Sequence, residues 1–316
     1  MLASSRRLGA SGGRLRFLFA HNTSATSSAS TVFRRSRFLC SSTNISARGE
    51  DCAAERGSVT NIDASTQEIF LQHRKKNTLG SALRSHLSEN RDALTGSNVA
   101  CIYRSAASIG QALDVNIVRD LLQILNRKDQ MITFTIEDVK DICQGHRYFN
   151  DKQPEVRLLL QKVVPKRHSE ISFDSQRLLG LSLFGLQNMT ALHPETRNIL
   201  KNFTFHLERC PEPLDGSTIS GALWGSRSMN SKEKEVMNFI KVMTQKIVES
   251  DYDLSPRGIA QSLNSLQIKS DKRTEVLDLL SALNCKLESV SSRMNTSEVC
   301  HSLNGLQTMS STSPIV

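Results

Sequence analysis

The chain has 316 residues, 38% hydrophobic and 5% aromatic, with a formal net charge of +9 and an isoelectric point near 9.3. Its seven cysteines (40, 52, 101, 143, 210, 285 and 300) form no Cys-x-x-Cys pair, which argues against a disulfide framework or a paired zinc site and leaves free thiols. Eight arginines and no acid fall within the first 49 residues, and the rest of the chain carries only about +1, so the basic balance does not by itself indicate a nucleic-acid partner.

Those arginines (6, 7, 14, 16, 34, 35, 37 and 48) occur among many Ser, Ala and Thr residues with no lysine, and Glu50 is the first acid. This composition matches an organellar transit peptide over residues 1–49; a disordered basic tail is the alternative. Phe17-Leu-Phe-Ala20 is too short for a secretory core or a membrane span, so no membrane insertion is expected. Mitochondrion is the preferred destination, with plastid as the alternative.

Residues 50–97 read as a linker and a degenerate capping repeat over 59–97, because Leu79, Leu83 and Leu87 keep the phase of helices further along. The copy starting at Val99 has a first helix through Ile102, Ser105 and Ile109, and its second, Ile117-Val-Arg-Asp-Leu-Leu122, runs two residues late.

From there a pattern returns every 40 residues. Gly145, Gly185, Gly225, Ser265 and Gly305 share one phase; Val139, Leu179, Ile219, Ile259 and Val299 share another; Cys143, Leu183, Leu223, Leu263 and Leu303 a third. Within each block apolar or small residues recur at helical spacing, as in Ile219, Ala222, Leu223, Ser226 and Met229. Small residues at Ser182, Ala222, Ser262 and Ser302, together with the glycines, predict a shallow track along which a neighbouring helix approaches closely. A glycine costs a helix about 1 kcal/mol against alanine, so its recurrence points to packing.

A second block opens with Pro154-Glu, Pro194-Glu, Lys234-Glu and Thr274-Glu; proline followed by an acid marks a helix start. Behind it stripes such as Ile199, Leu200, Phe203 and Leu207 predict a second amphipathic helix of about four turns. Caps at Asp215 and Ser255 lead back to the next first helix. Neither helix can bury its stripe alone, so residues 98–316 are expected to form an all-α solenoid of about five stacked helical hairpins, the last incomplete. The frame stops two residues past Pro314, where earlier copies open a second helix. A continuing reading frame is expected, with a partner that closes the stack as the alternative.

Cys143-Gln-Gly-His146 has the residue types of half a zinc site, but Cys143 stands in a leucine phase and His146 aligns with Leu186, Leu266 and Leu306. Both read as core. Leu179 to Asn188 imitates a leucine-rich repeat, yet the phase of Leu181 holds Asp141, Gly221, Gln261 and His301 in the other copies. No phosphate-binding glycine loop, nucleophile elbow or zinc-protease helix is present, so no enzyme and no cofactor are expected.

Solenoids bind ligands through positions that vary while the frame stays constant. Here those are the row Arg147, Gln187, Arg227, Gln267 and Gln307, and the row Tyr148, Asn188, Ser228, Ile268 and Thr308. A third holds Gln144, Phe184, Trp224, Asn264 and Asn304. Arg, Gln and Asn can bond base edges and planar groups can stack on bases, so these residues are candidates for single-stranded RNA bound along the first-helix face. The same pattern also suits a scaffold for other organellar proteins. The residues alone leave both readings open.

The core Ile219-Ser-Gly-Ala-Leu-Trp-Gly225 and the copy Ser302-Leu-Asn-Gly-Leu-Gln307 resemble octotricopeptide-type repeats, whose first helix carries a small-Leu-Trp-Ala-Leu core, and the related repeats that accompany RAP domains. The resemblance covers residues 99–316. It implies an organellar RNA-binding protein acting on the maturation, stability or translation of transcripts. It also implies that Trp224 packs between helices instead of stacking on a base.

Overall fold

A computed structural model describes residues 56–73, 78–127, 132–164 and 176–310; the expected transit segment and Pro314 lie outside the described residues. Two sets of helices alternate along the chain. The first helices, here called A, are α1 (Arg56–His73), α3 (Gly96–Ser108), α5 (Ile136–His146), α7 (Gln176–Phe184), α9 (Gly216–Gly225), α11 (Pro256–Asn264) and α13 (Thr296–Leu306). The second, B, helices are α2 (Leu79–Glu89), α4 (Val115–Arg127), α6 (Pro154–Val163), α8 (Pro194–Arg209), α10 (Lys234–Glu249) and α12 (Thr274–Ser289). Every A helix packs on the next A helix and every B helix on the next B helix. The described residues contain no strand, and the architecture is an all-α, two-layer solenoid.

The A helices start 40 residues apart because their caps do. Thr95, Thr135, Asp215, Ser255 and Asn295 each accept a hydrogen bond from the backbone amide three residues on; at Thr95, Thr135 and Asn295 that residue bonds back to complete a capping box. Losing such a cap costs about 1 kcal/mol. The B helices open as expected, with Pro154 and Pro194 in the first turn and Glu155, Glu195, Glu235 and Glu275 beside the positive end of the helix dipole.

The predicted B stripes are buried: Leu159, Leu160 and Val163 in α6, Phe203 and Leu207 in α8, Phe239 and Met243 in α10, Leu279 and Leu283 in α12. Each such side chain contributes about 1.5–3 kcal/mol. In α4 the buried residues include Val118, Leu121, Leu122 and Leu125, two residues late, beside Ile117 and Ile124, whereas Leu83 and Leu87 of α2 keep the common phase. Polar links join successive B helices. Arg84 pairs with Asp120, Arg119 with Glu155, Arg157 with Glu195 and Arg197 with Glu233. Lys246 donates to the Cys210 carbonyl at 2.8 Å and Lys286 to that of Ser250, so a lysine caps the C-terminal end of the preceding B helix.

In the A layer the helices lie three residues earlier than the apolar blocks suggest. They end within a residue of the recurring glycine, which therefore sits in or just past the last turn and not in the helix interior. The chain then tightens through three-residue bonds, Leu186 N to Leu183 O and Met189 N to Leu186 O, which tuck Met189 and its counterpart Met229 into the core beyond the helix end.

The glycines mark where consecutive A helices touch backbone to backbone. A Cβ on Gly185 would lie 2.0 Å from the Cys143 carbonyl oxygen, one on Gly225 2.0 Å from that of Leu183, and one on Gly305 2.0 Å from that of Leu263. The small-residue track is thus occupied by the neighbouring helix, with Ser182, Ala222 and Ser262 fully buried along it. By contrast, a Cβ on Gly221 meets nothing nearer than the Gly180 carbonyl oxygen at 3.6 Å.

Two substitutions four residues apart on α9 should therefore act in opposite directions. Gly225→Ala, which forces backbone apart, is expected to destabilise by roughly 3 kcal/mol. Gly221→Ala, which adds only ordinary contact and helix propensity, is expected to stabilise by about 0.5–1 kcal/mol. Urea midpoints followed by circular dichroism check both; equal effects would refute the close-approach argument.

Candidate functional site

The candidate residues of the sequence rows lie at the edge where A helices turn into B helices. The row from Gln144 to Asn304 occupies the last turns of the A helices. The Arg147 and Tyr148 rows fall one to four residues past the helix ends, so they belong to the turn and not to the first-helix face. Helix ends put them there: each A helix finishes against the glycine contact, and the tight turn presents the next two side chains sideways toward the preceding repeat.

Most of them bond across a junction between repeats. The Tyr148 hydroxyl donates to the Ala107 carbonyl at 3.3 Å, and the Arg147 guanidinium lies 4.7 Å from the Tyr148 ring centroid while donating to its hydroxyl. Asn188 donates to the Arg147 carbonyl at 2.6 Å, and Ser228 to that of Gln187 at 2.6 Å. The α7–α9 junction is the most connected. Trp224 Nε1 donates to Gln187 Oε1 at 2.6 Å, Arg227 donates to Asn188 Oδ1 at 3.1 Å, and the same guanidinium stands 4.6 Å over the Trp224 ring. Burial lowers the Arg227 pKa, yet a guanidinium stays charged at neutral pH. Nearer the C-terminal end, Asn304 donates to Gln267 Oε1 at 3.2 Å, Thr308 donates to the Lys269 carbonyl, and Gln307 is exposed.

Chemically this is a ladder of fixed, half-buried amides, guanidinia and one indole, roughly one set per repeat. The amides and guanidinia keep unused donors or acceptors, because each has more sites than these bonds consume, whereas the indole N–H of Trp224 is spent on Gln187. The ring of Trp224 has Arg227 on one face, so a base could stack there only by displacing the guanidinium.

Cys143 and His146 are fully buried. The His146 ring stacks on Tyr103 at 4.8 Å with planes 9° apart, and its Nδ1 lies 2.8 Å from the Ile142 carbonyl. Burial pushes the Cys143 thiol pKa up and pulls His146 down to about 4, so both stay neutral in the core. No group of three His, Cys, Asp or Glu residues placed to hold a metal occurs among the described residues, and no described helix is long and apolar enough to cross a membrane.

Two features of this edge were not singled out by the rows above. One is a lysine phase: Lys152, Leu192, Lys232 and Lys272 stand 40 apart and are exposed in every copy. The same periodicity carries them, and only their distance from the helix motif hides them. The other is Lys269, in the phase of Phe149, Met189, Met229 and Met309. It is fully buried, and its ammonium donates to the carbonyls of Ser226 at 2.9 Å and Ser265 at 2.7 Å. At this α9–α11 junction Ser265 replaces the recurring glycine, and Ile268, partly exposed, replaces the hydrogen-bonding residue that links other repeats. Lys269 reaches across the junction from the core side instead.

No protein-family model matches the chain, and no characterised protein matches its sequence.

Burial pulls the Lys269 pKa from an ordinary 10.5 down to about 7. Between those values the unfolded chain holds a proton that the folded chain lacks, so folding stability should rise with pH across that window. Below it both states are charged and stability sits on its lower plateau. Lys269→Met, the residue of three other copies, is expected to abolish this rise and to stabilise at neutral pH by about 1–4 kcal/mol. Urea denaturation of both proteins at about pH 7 and about pH 9.5 reads the difference; a variant less stable than the parent at neutral pH would contradict it.

Proposed function

We propose that this chain is an RNA-binding helical repeat protein acting on organellar transcripts, in their maturation, stability or translation. Single-stranded RNA lies along the edge where A helices turn into B helices. The helical-repeat fold is a binding scaffold: it offers an extended surface built from equivalent positions. The observation that carries the RNA reading is the presentation of planar polar groups once per repeat, at Arg147, Gln187, Trp224 with Arg227, Gln267 and Gln307. Helical repeats that read one base each use two or three such side chains, and only an unpaired strand exposes its base edges to them. Side-chain bonds at the turns hold all of these groups but Gln307 in place before any ligand arrives, which lowers the ordering cost of binding. An arginine-rich, acid-free segment over residues 1–49 supports import into mitochondria.

A protein–protein scaffold with the same fold is the second reading. The near-neutral charge of the chain beyond residue 49 favours it, as does the engagement of Arg147 by Tyr148 and of Arg227 by Asn188 across the junction.

Fluorescence anisotropy with labelled single-stranded and double-stranded RNA of one sequence separates the readings. The RNA reading expects at least about tenfold preference for the single strand and an affinity that falls with salt. Arg147→Ala/Arg227→Ala should weaken binding about tenfold, beyond any change in thermal midpoint measured on the same protein. Absence of binding by the parent protein favours the scaffold.

A further inference from the structure

We infer that Lys152, Lys232 and Lys272 form the phosphate-contacting track of this edge, an assignment that rests on the RNA reading above. Their placement is the first argument. All three are exposed and occupy one phase of the repeat, five residues beyond the Arg147–Gln307 row. Their backbones are pinned alike: Asn150 Oδ1 accepts the Lys152 amide at 3.1 Å, Asn230 Oδ1 that of Lys232 at 3.0 Å, and the Ser270 hydroxyl that of Lys272 at 3.3 Å. The same turn therefore delivers an ammonium group to the same side of each of these repeats. Neighbouring A helices in such a stack lie about 9 Å apart, a spacing that lets consecutive lysines serve one continuous strand.

The second argument is electrostatic. Carboxylates crowd this edge because α6, α8, α10 and α12 each carry a glutamate in the first turn. Yet Glu155 is paired with Arg119, Glu195 with Arg157, Glu233 with Arg197 and Glu275 with Arg273. No ion pair joins Lys152, Lys232 or Lys272 to another described residue. Among the described residues, arginines thus engage four of the five glutamates at this edge, all but Glu235, and the ammonium groups remain available to an outside anion.

The third argument is chemical. Within the Arg147 row, Gln187, Arg227 and Gln267 are held in junctions by Trp224, Asn188 and Asn304, fixed in direction. A lysine is a compact charge on a flexible stem, suited to a phosphate whose position shifts with the base beside it. Leu192 leaves one repeat without such a contact.

The test uses the full chain, a labelled oligouridylate and salt between about 50 and 200 mM. Lys232→Gln/Lys272→Gln is compared with Lys201→Gln/Lys241→Gln, which removes the same charge from exposed positions on the B helices. The edge variant is expected to lose about 1.4 from the slope of log affinity against log salt, and roughly tenfold in affinity, while the B-face variant stays within about twofold of the parent. Equal effects of the two variants, or none from the edge variant, overturn the assignment while leaving RNA binding intact. A parent protein that binds no oligouridylate or other single strand at any of these salt concentrations overturns the RNA reading and the track with it.

Discussion

Backbone lies directly on backbone at three junctions of this stack: Gly185 over the carbonyl of Cys143, Gly225 over that of Leu183 and Gly305 over that of Leu263. No side chain separates the A helices there, and this approach governs the rest of the layer. It places the end of each A helix against the preceding one, so the residues that follow must turn sideways along the junction. Bonds such as Asn188 to the Arg147 carbonyl and Ser228 to the Gln187 carbonyl are short because the two backbones are already close. The B layer has no such requirement and is held by conventional apolar stripes and cross-repeat ion pairs. The polar edge is therefore a consequence of the glycine contact as much as of its own residues.

The α9–α11 junction shows what happens when that contact is altered. Ser265 brings a Cβ where Gly145, Gly185, Gly225 and Gly305 have none, and its hydroxyl turns back to the Ser262 carbonyl at 2.6 Å. Ile268 cannot make the hydrogen bond that Tyr148, Asn188 and Ser228 make to the repeat before. Lys269 supplies a donor instead, at the expense of burying an ammonium group among apolar side chains. Three changes within five residues thus belong to one local solution, and each makes sense only beside the others. A buried amine between two carbonyls tolerates the site far better than an unpaired one.

Much of the fold was legible because it repeats. The phase of Pro154 and Pro194 named the B-helix starts, Asp215 and Ser255 named two caps, and the two-residue lag at Ile117 reappears in the buried set of α4. The A-helix limits were less legible. Apolar phases at Leu186, Met189 and Met229 belong to the core without belonging to a helix, and periodicity alone cannot tell a helical turn from the tight turn that follows it. The candidate residues were legible as a variable row but not as junction bonds, since a bond between Trp224 and Gln187 depends on stacking geometry that no local pattern carries. The thiol and imidazole of Cys143 and His146 were read as core from alignment of the copies, and the structure places both there.

Charge in this chain is better understood by its distribution than by its sum. Beyond residue 49 the total is close to neutral, which taken alone argues against a polyanionic ligand. Within the stack, however, the charges are arranged locally. Arginines projecting from the B helices neutralise the glutamates of the next repeat at the A-to-B edge, and Lys152, Lys232 and Lys272 remain exposed beside them. The B-to-A edge carries exposed acids such as Glu212, Asp251 and Asp253. An elongated ligand senses the local potential within about a Debye length, about 8–10 Å, and not the net charge of the whole molecule. A near-neutral solenoid can thus present a cationic line along one edge, provided that its internal ion pairs keep the carboxylates away from it.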